Sequence, residues 1–547
     1  MTKSVKQVTA GLVDLLGSAR VISDPPALAY YGTDISGEGT HRPVLAIKPD
    51  TVDHLCRAVA LVTGAGVAVI PRGGGYSYTQ GYVPAVANAA VIDVSDLNRI
   101  VEINEADRYV TVEAGCTWSA LFEALKAKKL RTPFFGTLSG SASTVGGAAS
   151  NNAQFFGSGA YGTMSDVVQS LDVVVADGRL VETGSAAAEG RTPFFRHFGP
   201  DFTGLFLGDG GAFGIKARVT LPLIALPAAE GYVSFAFERF EDIAEAHVAL
   251  AREDVAAEQW GIDPEGNESL AKRGFTFLEG LAMVRDVAEA SKPAGGALKS
   301  VAKMLVDGHR AVLRTGWSLH AVVEAASERE VETKLGKIRR VLMPMALKEL
   351  PNTIPQVTRA KPFRAIKQLL GPDGRNWLPV HGLFPLSRAA EVAAVTDEYF
   401  VRHREIITRH GISVSYLTGT VGNAFTLEPM FFWKDRLHAF HLKHATSEQV
   451  QAFAGTPPNP AAREAVMTLR NDLALLWGAY GAIHMQVGKF YPYVGTLSSA
   501  SAALATSIKT ALDPNNLMNP GALGLGLPKG RKVSEFTEFP QDLLAGE

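Results

Sequence analysis

Residues 71–81 read Pro71-Arg-Gly-Gly-Gly75-Tyr-Ser-Tyr-Thr-Gln-Gly81 and directly follow the apolar run Val67-Ala-Val-Ile70. A short buried-type strand running into three consecutive glycines presents backbone amides where side chains would normally stand. Such a loop can fold into a concave nest whose N–H groups point at one anion, a phosphate above all. It is neither a Rossmann GxGxxG loop nor a Walker A loop, because no Lys-Ser/Thr follows and no helix opens there. A plain glycine turn explains the same letters, and the surrounding chain has to decide.

Working outward, helical spacing of Val52, Leu55, Val59 and Val62 predicts a helix over residues 51–64, ended by Gly64 and Gly66. Residues 91–94 read as a strand, and residues 101–103 and 109–112 as an antiparallel pair across the turn-like segment 104–108. A helix over 118–126 and strands over 171–175 and 215–223 complete a mixed α/β first half. Of 54 glycines, 23 lie between Gly64 and Gly214, so close backbone approach is concentrated in this half. Inside it, residues 132–165 contain no Asp, Glu, Lys, Arg or His. That stretch is too polar for a membrane helix and too long for an ordinary charged surface loop. Its Phe134, Phe135, Phe155, Phe156 and Tyr161 argue against a flexible linker. Amides and hydroxyls facing a buried polar ligand explain it better.

The second half changes character. Amphipathic helices are predicted over 240–253, 325–342 and 387–410, separated by β-prone stretches such as 412–416 and 425–433. Helices alternating with antiparallel-type strands make a separate α+β unit. The whole chain has 547 residues, 53 Lys+Arg against 55 Asp+Glu, and a net charge of −2. That balance gives no electrostatic reason for nucleic acid or an anionic membrane as partner. Hydrophobic residues at 46% and charged residues at 20% support sizeable cores and exclude general disorder. Cys56 and Cys116 are the two cysteines, too few for a disulfide framework, and no CxxC is present. The first residues lack a signal-peptide pattern and no run of 18 apolar residues occurs, so the expectation is a cytoplasmic protein without a membrane span.

Order strengthens the nest reading. Val145-Gly-Gly-Ala148, then Gly157-Ser-Gly-Ala-Tyr-Gly162 with Asp166-Val167, then Val174-Val-Ala-Asp-Gly178, then Gly204-Leu-Phe-Leu-Gly208-Asp-Gly-Gly-Ala-Phe-Gly214-Ile215 follow in sequence. Near the end stands Leu512-Asp-Pro-Asn-Asn-Leu-Met-Asn-Pro-Gly521. In this order and approximate spacing the set resembles the FAD-linked oxidase superfamily of the vanillyl-alcohol oxidase and p-cresol methylhydroxylase type, over about residues 40–225 and again at the closing LDPxxxxNPG.

The resemblance implies an α+β fold class: a two-lobed α/β FAD-binding domain over residues 1–225, an α+β cap with an antiparallel sheet over 226–500, and a segment 501–547 returning to the FAD domain. It implies FAD as cofactor. Pro71, Arg72, Gly73, Gly74, Gly75, Tyr76, Ser77 and Gly81 would form the loop at the pyrophosphate. Ser143, Gly146, Gly147, Gly157 and Gly162 would line the flavin and adenosine path, with Gly214 and Ile215 near the adenine. Relatives whose flavin is bonded at the first loop carry His where Tyr76 stands, so noncovalent FAD is expected. Gly210 stands where many relatives have Glu.

The later half holds the catalytic candidates. Gly481-Ala-Ile-His484-Met-Gln-Val-Gly-Lys489 loosely resembles a His- and Gly-containing stretch of the superfamily's 2-hydroxy-acid dehydrogenases, where the His lies beside the flavin. His484 also reads as a hydrogen-bonded core histidine between apolar Ile483 and Met485. Lys489 and Arg375 are candidates to hold a substrate carboxylate, against the ordinary reading of paired or solvated cations. His381, within the aromatic cluster of residues 375–385, and Tyr491 could support His484, or belong to a core and a turn. His438, His441 and His444 recur every third residue, but that spacing drifts around a helix and no metal is expected.

A bound flavin takes a hydride from a carbon bearing a hydroxyl, and a neutral imidazole suits the accompanying proton near neutral pH. The expected activity is therefore an FAD-dependent oxidoreductase acting on an alcohol or a 2-hydroxy acid. An oxidase of 4-substituted phenols on the same fold, and a non-catalytic FAD-binding protein, are the alternatives. Partners would be a small-molecule substrate and an electron acceptor (dioxygen, a quinone or an electron-transfer protein), and a homodimer is compatible with the fold.

Overall fold

A computed structural model describes residues 3–272, 316–363, 370 and 373–526; the cap and C-terminal ranges expected above run partly outside these. The first strand into the glycine loop is Ala68–Arg72, and it pairs in parallel with Ala89–Asp93, which pairs in parallel with Leu45–Ile47. The helix Val52–Gly64 crosses between two of these strands, with Val52, Leu55, Val59 and Val62 all buried against the sheet. Thr51 caps it, its hydroxyl accepting the His54 amide at 3.1 Å. A second sheet is antiparallel, in the order Leu180–Glu182, Ser170–Val174, Ile215–Pro222, Tyr109–Glu113 and Ile100–Asn104. The expected pair across 104–108 is its edge hairpin.

The second half builds one large sheet. Lys348–Leu350, Ala229–Phe237, Trp317–Ala325, Glu258–Ile262, Ser413–Val421, Ala424–Trp433 and Asn376–Pro379 lie side by side, with Gly382–Pro385 also paired to Ala424–Trp433. Every ladder in it is antiparallel. The helices Phe240–Ala251, Glu328–Leu342, Ala389–Arg402 and Pro460–Gly478 bury their apolar stripes in the core of this unit. Its other face turns toward the glycine-rich half.

Two helix boundaries differ from expectation. Residue 325 ends a strand, because Ala325 pairs with Ala229 in the ladder, and the helix begins only at Glu328 after Ser327 caps it. The helix expected over 387–410 is two helices, Ala389–Arg402 and Arg404–Arg409, broken at His403, whose φ of −95° and ψ of 9° leave the helical region.

The end of the described chain returns to the first sheet. Met518 bridges Val69 in parallel, with Val69 N–H donating to Leu517 O at 2.7 Å and Asn519 N–H to Val69 O at 2.8 Å. Asn519, 1% exposed, then donates through Nδ2 to the carbonyls of Gly81 (2.8 Å) and Gly210 (2.6 Å) and accepts from Lys489 Nζ at 2.7 Å. Lys509 locks the same turn from below, donating to Ala212 O, Met518 O and the Asp513 carboxylate. One amide side chain therefore joins the first loop, the second-lobe loop and the segment carrying His484. Asn519→Ala should lower stability by about 2–4 kcal/mol, since two carbonyls and one ammonium lose a buried partner together. A thermal or urea melt within ~0.5 kcal/mol of the parent would show that these bonds are made only in passing.

Candidate functional site

The glycine loop leaves its strand at Arg72 and runs under the turn formed by residues 139–144. A Cβ on Gly74 would stand 2.2 Å from Ala142 O, and Gly75 has φ of +79°, so neither position accepts a side chain without moving backbone. Among the described residues, none of the amides of residues 73–78 has a hydrogen-bond acceptor. Six successive unpaired N–H groups are rare inside a folded chain. Beneath them Arg72 is 1% exposed, with Nη1 donating to Thr33 O at 2.8 Å while Nε and Nη2 stay unbonded. A buried guanidinium with two free donors under a row of free amides calls for an anion. That arrangement fits the pyrophosphate of FAD.

Of the other expected cofactor residues, Ser143, Pro71, Ser77 and Gly81 adjoin this loop, and the rest make contacts elsewhere. Ser143 lies beside Gly74 and bonds Thr137 Oγ1 at 3.0 Å. Pro71 packs against Gly211 of the loop that also offers Gly210 to Asn519. Ser77 takes the Thr79 amide on its hydroxyl, and Gly81 gives its carbonyl to Asn519. Gly146 and Gly147 open a short helix, Val145–Asn151, packed on Ala114. Gly157 donates its amide to Glu258 Oε2 at 3.1 Å. Gly162, Gly214 and Ile215 make packing contacts, with Asp166, Val173 and Val174 respectively. Tyr76 turns its hydroxyl to His444 Nδ1 at 3.3 Å and its ring edge onto Phe440.

On the cap side, His484, Tyr491 and His381 come together. The His484 ring stacks on Tyr491 at 4.0 Å and 9°, and its Nδ1–H donates to the His381 carbonyl at 2.8 Å. Tyr491 Oη accepts the His381 amide at 2.8 Å and lies 3.2 Å from His381 Nδ1. Burial pushes the His484 imidazole down to about 4 and that of His381 to about 3, so both are neutral near pH 7. Arg375 does not join them: it pairs with Asp373 at 2.9 Å, bonds Ser413 and lies over Phe432. Lys489 is spent on Val83 O and Asn519, a structural anchor and no carboxylate clamp. Among the described residues no metal-binding group of three is found; His438 and His441 stack on each other at 3.8 Å, and His444 bonds Tyr30.

Three residues without an expected role tie the halves together. Tyr78, inside the glycine loop, accepts Gln486 Nε2 at 2.9 Å, points its hydroxyl at Glu428 Oε2 (3.5 Å) and meets the His381 ring edge-on. Its carbonyl accepts from Arg470, which is 1% exposed, also donates to Pro379 O and lies 3.6 Å over the Phe490 ring. Glu258 faces Arg359, and that guanidinium also holds Glu230 and Glu324. The one available clue was the place of Tyr78 between Ser77 and Thr79 in the loop; the others meet only through long-range pairing.

Burial pushes the Glu428 carboxyl up to about 7 from 4.5, with the Tyr78 hydroxyl and Arg470 pulling the other way. A carboxyl whose folded pKa is raised binds a proton on folding, so its contribution to stability is full below the unfolded value and is lost as pH rises through about 7. Glu428→Gln should therefore gain stability over the parent by ~1–3 kcal/mol on going from about pH 5 to about pH 8. A difference in melting that stays flat with pH would show that Glu428 is solvated like a surface carboxylate.

Residues 43–184 match the family model described as an FAD binding domain. The chain is 29% identical over 231 residues to a D-2-hydroxyglutarate dehydrogenase of Xanthomonas citri pv. viticola, covering 42% of this chain and 47% of that one. It is 25% identical over 246 residues to the mitochondrial D-lactate dehydrogenase [cytochrome] 1 of Saccharomyces cerevisiae, covering 45% and 40%. The chain thus spans about half the length of the curated relatives it matches. Among solved structures it is similar to p-cresol methylhydroxylase, with a TM-score of 0.72 at 15% identity over 96% of this chain and 98% of that one. Among the described residues no helix is long and apolar enough to cross a membrane. Residues 43–184 thus read as an FAD binding domain, the free amides of the glycine loop suit that cofactor, and the chain shares its fold with p-cresol methylhydroxylase.

Proposed function

We propose that this protein is an FAD-dependent oxidoreductase that removes a hydride from the hydroxyl-bearing carbon of a small substrate, with His484 accepting the hydroxyl proton. The names of the sequence relatives, which are dehydrogenases of 2-hydroxy acids, support the donor class. When bound, FAD supplies the N5 position that accepts the hydride. The amides of residues 73–78 and the Arg72 guanidinium would hold its pyrophosphate, beside the turn at residues 139–144.

The observation that carries the role of His484 is its Nδ1–H···O=C bond to His381. That bond fixes the tautomer and leaves the Nε2 lone pair free to take a proton. Its depressed pKa keeps the lone pair unprotonated at neutral pH. The Tyr491 ring holds the imidazole flat on one face, and His381 is positioned by the same tyrosine's hydroxyl. The electron acceptor would be dioxygen, a quinone or an electron-transfer protein.

His484→Ala should keep its FAD and slow flavin reduction by substrate about 10²–10⁴-fold, the usual effect of losing a positioned base. A normal reduction rate in a variant destabilised by ~1–3 kcal/mol would make His484 a core residue and move the base to His381 or Tyr491. FAD attachment is noncovalent in this reading, because Tyr76 offers no imidazole at the first loop. Acid precipitation should release all the yellow colour to the supernatant; colour retained on the pellet would point to His444, which touches Tyr76.

A further inference from the structure

The exposed phenylalanines among the described residues all fall in one stretch. Phe194 (53%), Phe195 (52%), Phe198 (62%) and Phe202 (56%) stand in water, and none of them belongs to the apolar cores. They lie on the connection that leaves the edge strand Leu180–Glu182 and enters the short helix Phe202–Leu205. This loop stands clear of the body: Gly190 and Gly199 both have positive φ, and a Cβ on either would meet nothing within 4 Å. Its backbone is nonetheless fixed from inside. Buried Ser185 donates its amide to Phe195 O at 2.8 Å, accepts the Phe195 amide at 3.1 Å and gives its hydroxyl to Thr192 O at 2.7 Å. Arg196 holds Asp201 through Nε and Nη2 and donates Nη1 to Ser165 O. Asp201 in turn caps the short helix at the Gly204 amide, and buried Thr203 bonds Thr183 at 2.9 Å. These bonds hold the four rings out.

Clustered apolar side chains pinned in water mark a docking surface. About half of each ring's ~200 Å² gives roughly 400 Å² of aromatic surface. That is about half of the ~800 Å² which each partner of a stable protein complex buries. The direct hydrogen bonds of a protein interface would also need free polar groups, and Ser185, Arg196 and Asp201 are spent inside the loop. Residues 188–203 carry Glu189, Arg191, Arg196 and Asp201, which cancel with His197 neutral, so neither an acidic nor a basic partner is selected. A protruding, uncharged tip of phenyl rings fits the boundary between lipid headgroups and acyl chains, which offers apolar contact and asks for no hydrogen bond. We propose that Phe194, Phe195, Phe198 and Phe202 insert into a bilayer of zwitterionic lipid, docking the protein on a membrane surface that these residues do not span. Arg191 and His197, exposed beside the rings, then stand at headgroup level. This docking needs no substrate and is independent of the oxidoreductase reading.

The test floats the FAD-loaded full chain with phosphatidylcholine vesicles on a density gradient. The parent protein should rise with the vesicles, at least as strongly at ~1 M salt as at ~0.1 M, because apolar insertion is not screened. Phe194→Ser combined with Phe198→Ser should weaken partitioning at least about tenfold, while the visible spectrum and melting temperature stay those of the parent. Phe198→Trp gives a readout that needs no weakened variant: its emission should shift to the blue on adding vesicles, beyond any change in the parent. A parent protein that stays at the bottom of the gradient would overturn the proposal. So would binding that requires anionic lipid and is lost at ~1 M salt, binding unchanged in the double variant, or Phe198→Trp emission indifferent to vesicles. A concentration-dependent dimer that the double variant abolishes would assign the rings to a second copy of the chain and overturn it as well.

Discussion

Three loops from distant parts of the chain are held in place by one buried amide, that of Asn519. Its Nδ2 satisfies the carbonyls of Gly81 and Gly210, and its Oδ1 takes a proton of Lys489, whose other contact is Val83 O. Together with Pro71 against Gly211, those bonds set the distance of the glycine loop to the second lobe. The segment that carries His484 and Tyr491 is tied to both by the same amide, by Gln486 on Tyr78 and by the Lys489 amide on Thr79 O. A buried polar group of this kind is high in stakes because each partner it leaves unpaired costs free energy in a low-dielectric interior. The cap adds a second tie, in which Arg359 holds Glu230, Glu258 and Glu324 while Arg131, from the FAD side, holds Glu324. Such a network is a weak source of net stability but a demanding one in geometry. It fixes how the cap sheet sits over residues 154–158.

Local structure was largely legible because local rules govern it. Val52, Leu55, Val59 and Val62 repeat at helical spacing and are buried together; the triple glycine after a strand is a loop with free amides. The boundary at residue 325 was not legible. Trp317–Ala325 is buried on both faces for nearly its whole length, which erases the alternation that marks a strand. The break at His403 likewise leaves no trace in hydrophobic spacing, since apolar residues continue through both helices.

The site divided along the same line. Contiguous motifs pointed to the glycine loop, and a short segment pointed to His484 and Tyr491. The roles of Lys489, Glu258, Glu428 and Arg470 depend on partners dozens to hundreds of residues away, and no pattern in the chain announces them. Lys489 shows the hazard. Two residues from Tyr491, it reads as a substrate clamp, yet its ammonium is buried and bonded to a carbonyl and an amide.

The central claim is that residues 73–78 bind the pyrophosphate of FAD through backbone amides, and the visible spectrum tests it most directly. After incubation with FAD and removal of the excess, the parent protein should show bands near ~370 and ~450 nm with about one flavin per chain. Gly74→Val, whose side chain must displace the Ala142 carbonyl, should take up far less while Asn519 and the sheets remain folded. A colourless parent protein, or a Gly74→Val variant that binds FAD as the parent does, would contradict the account.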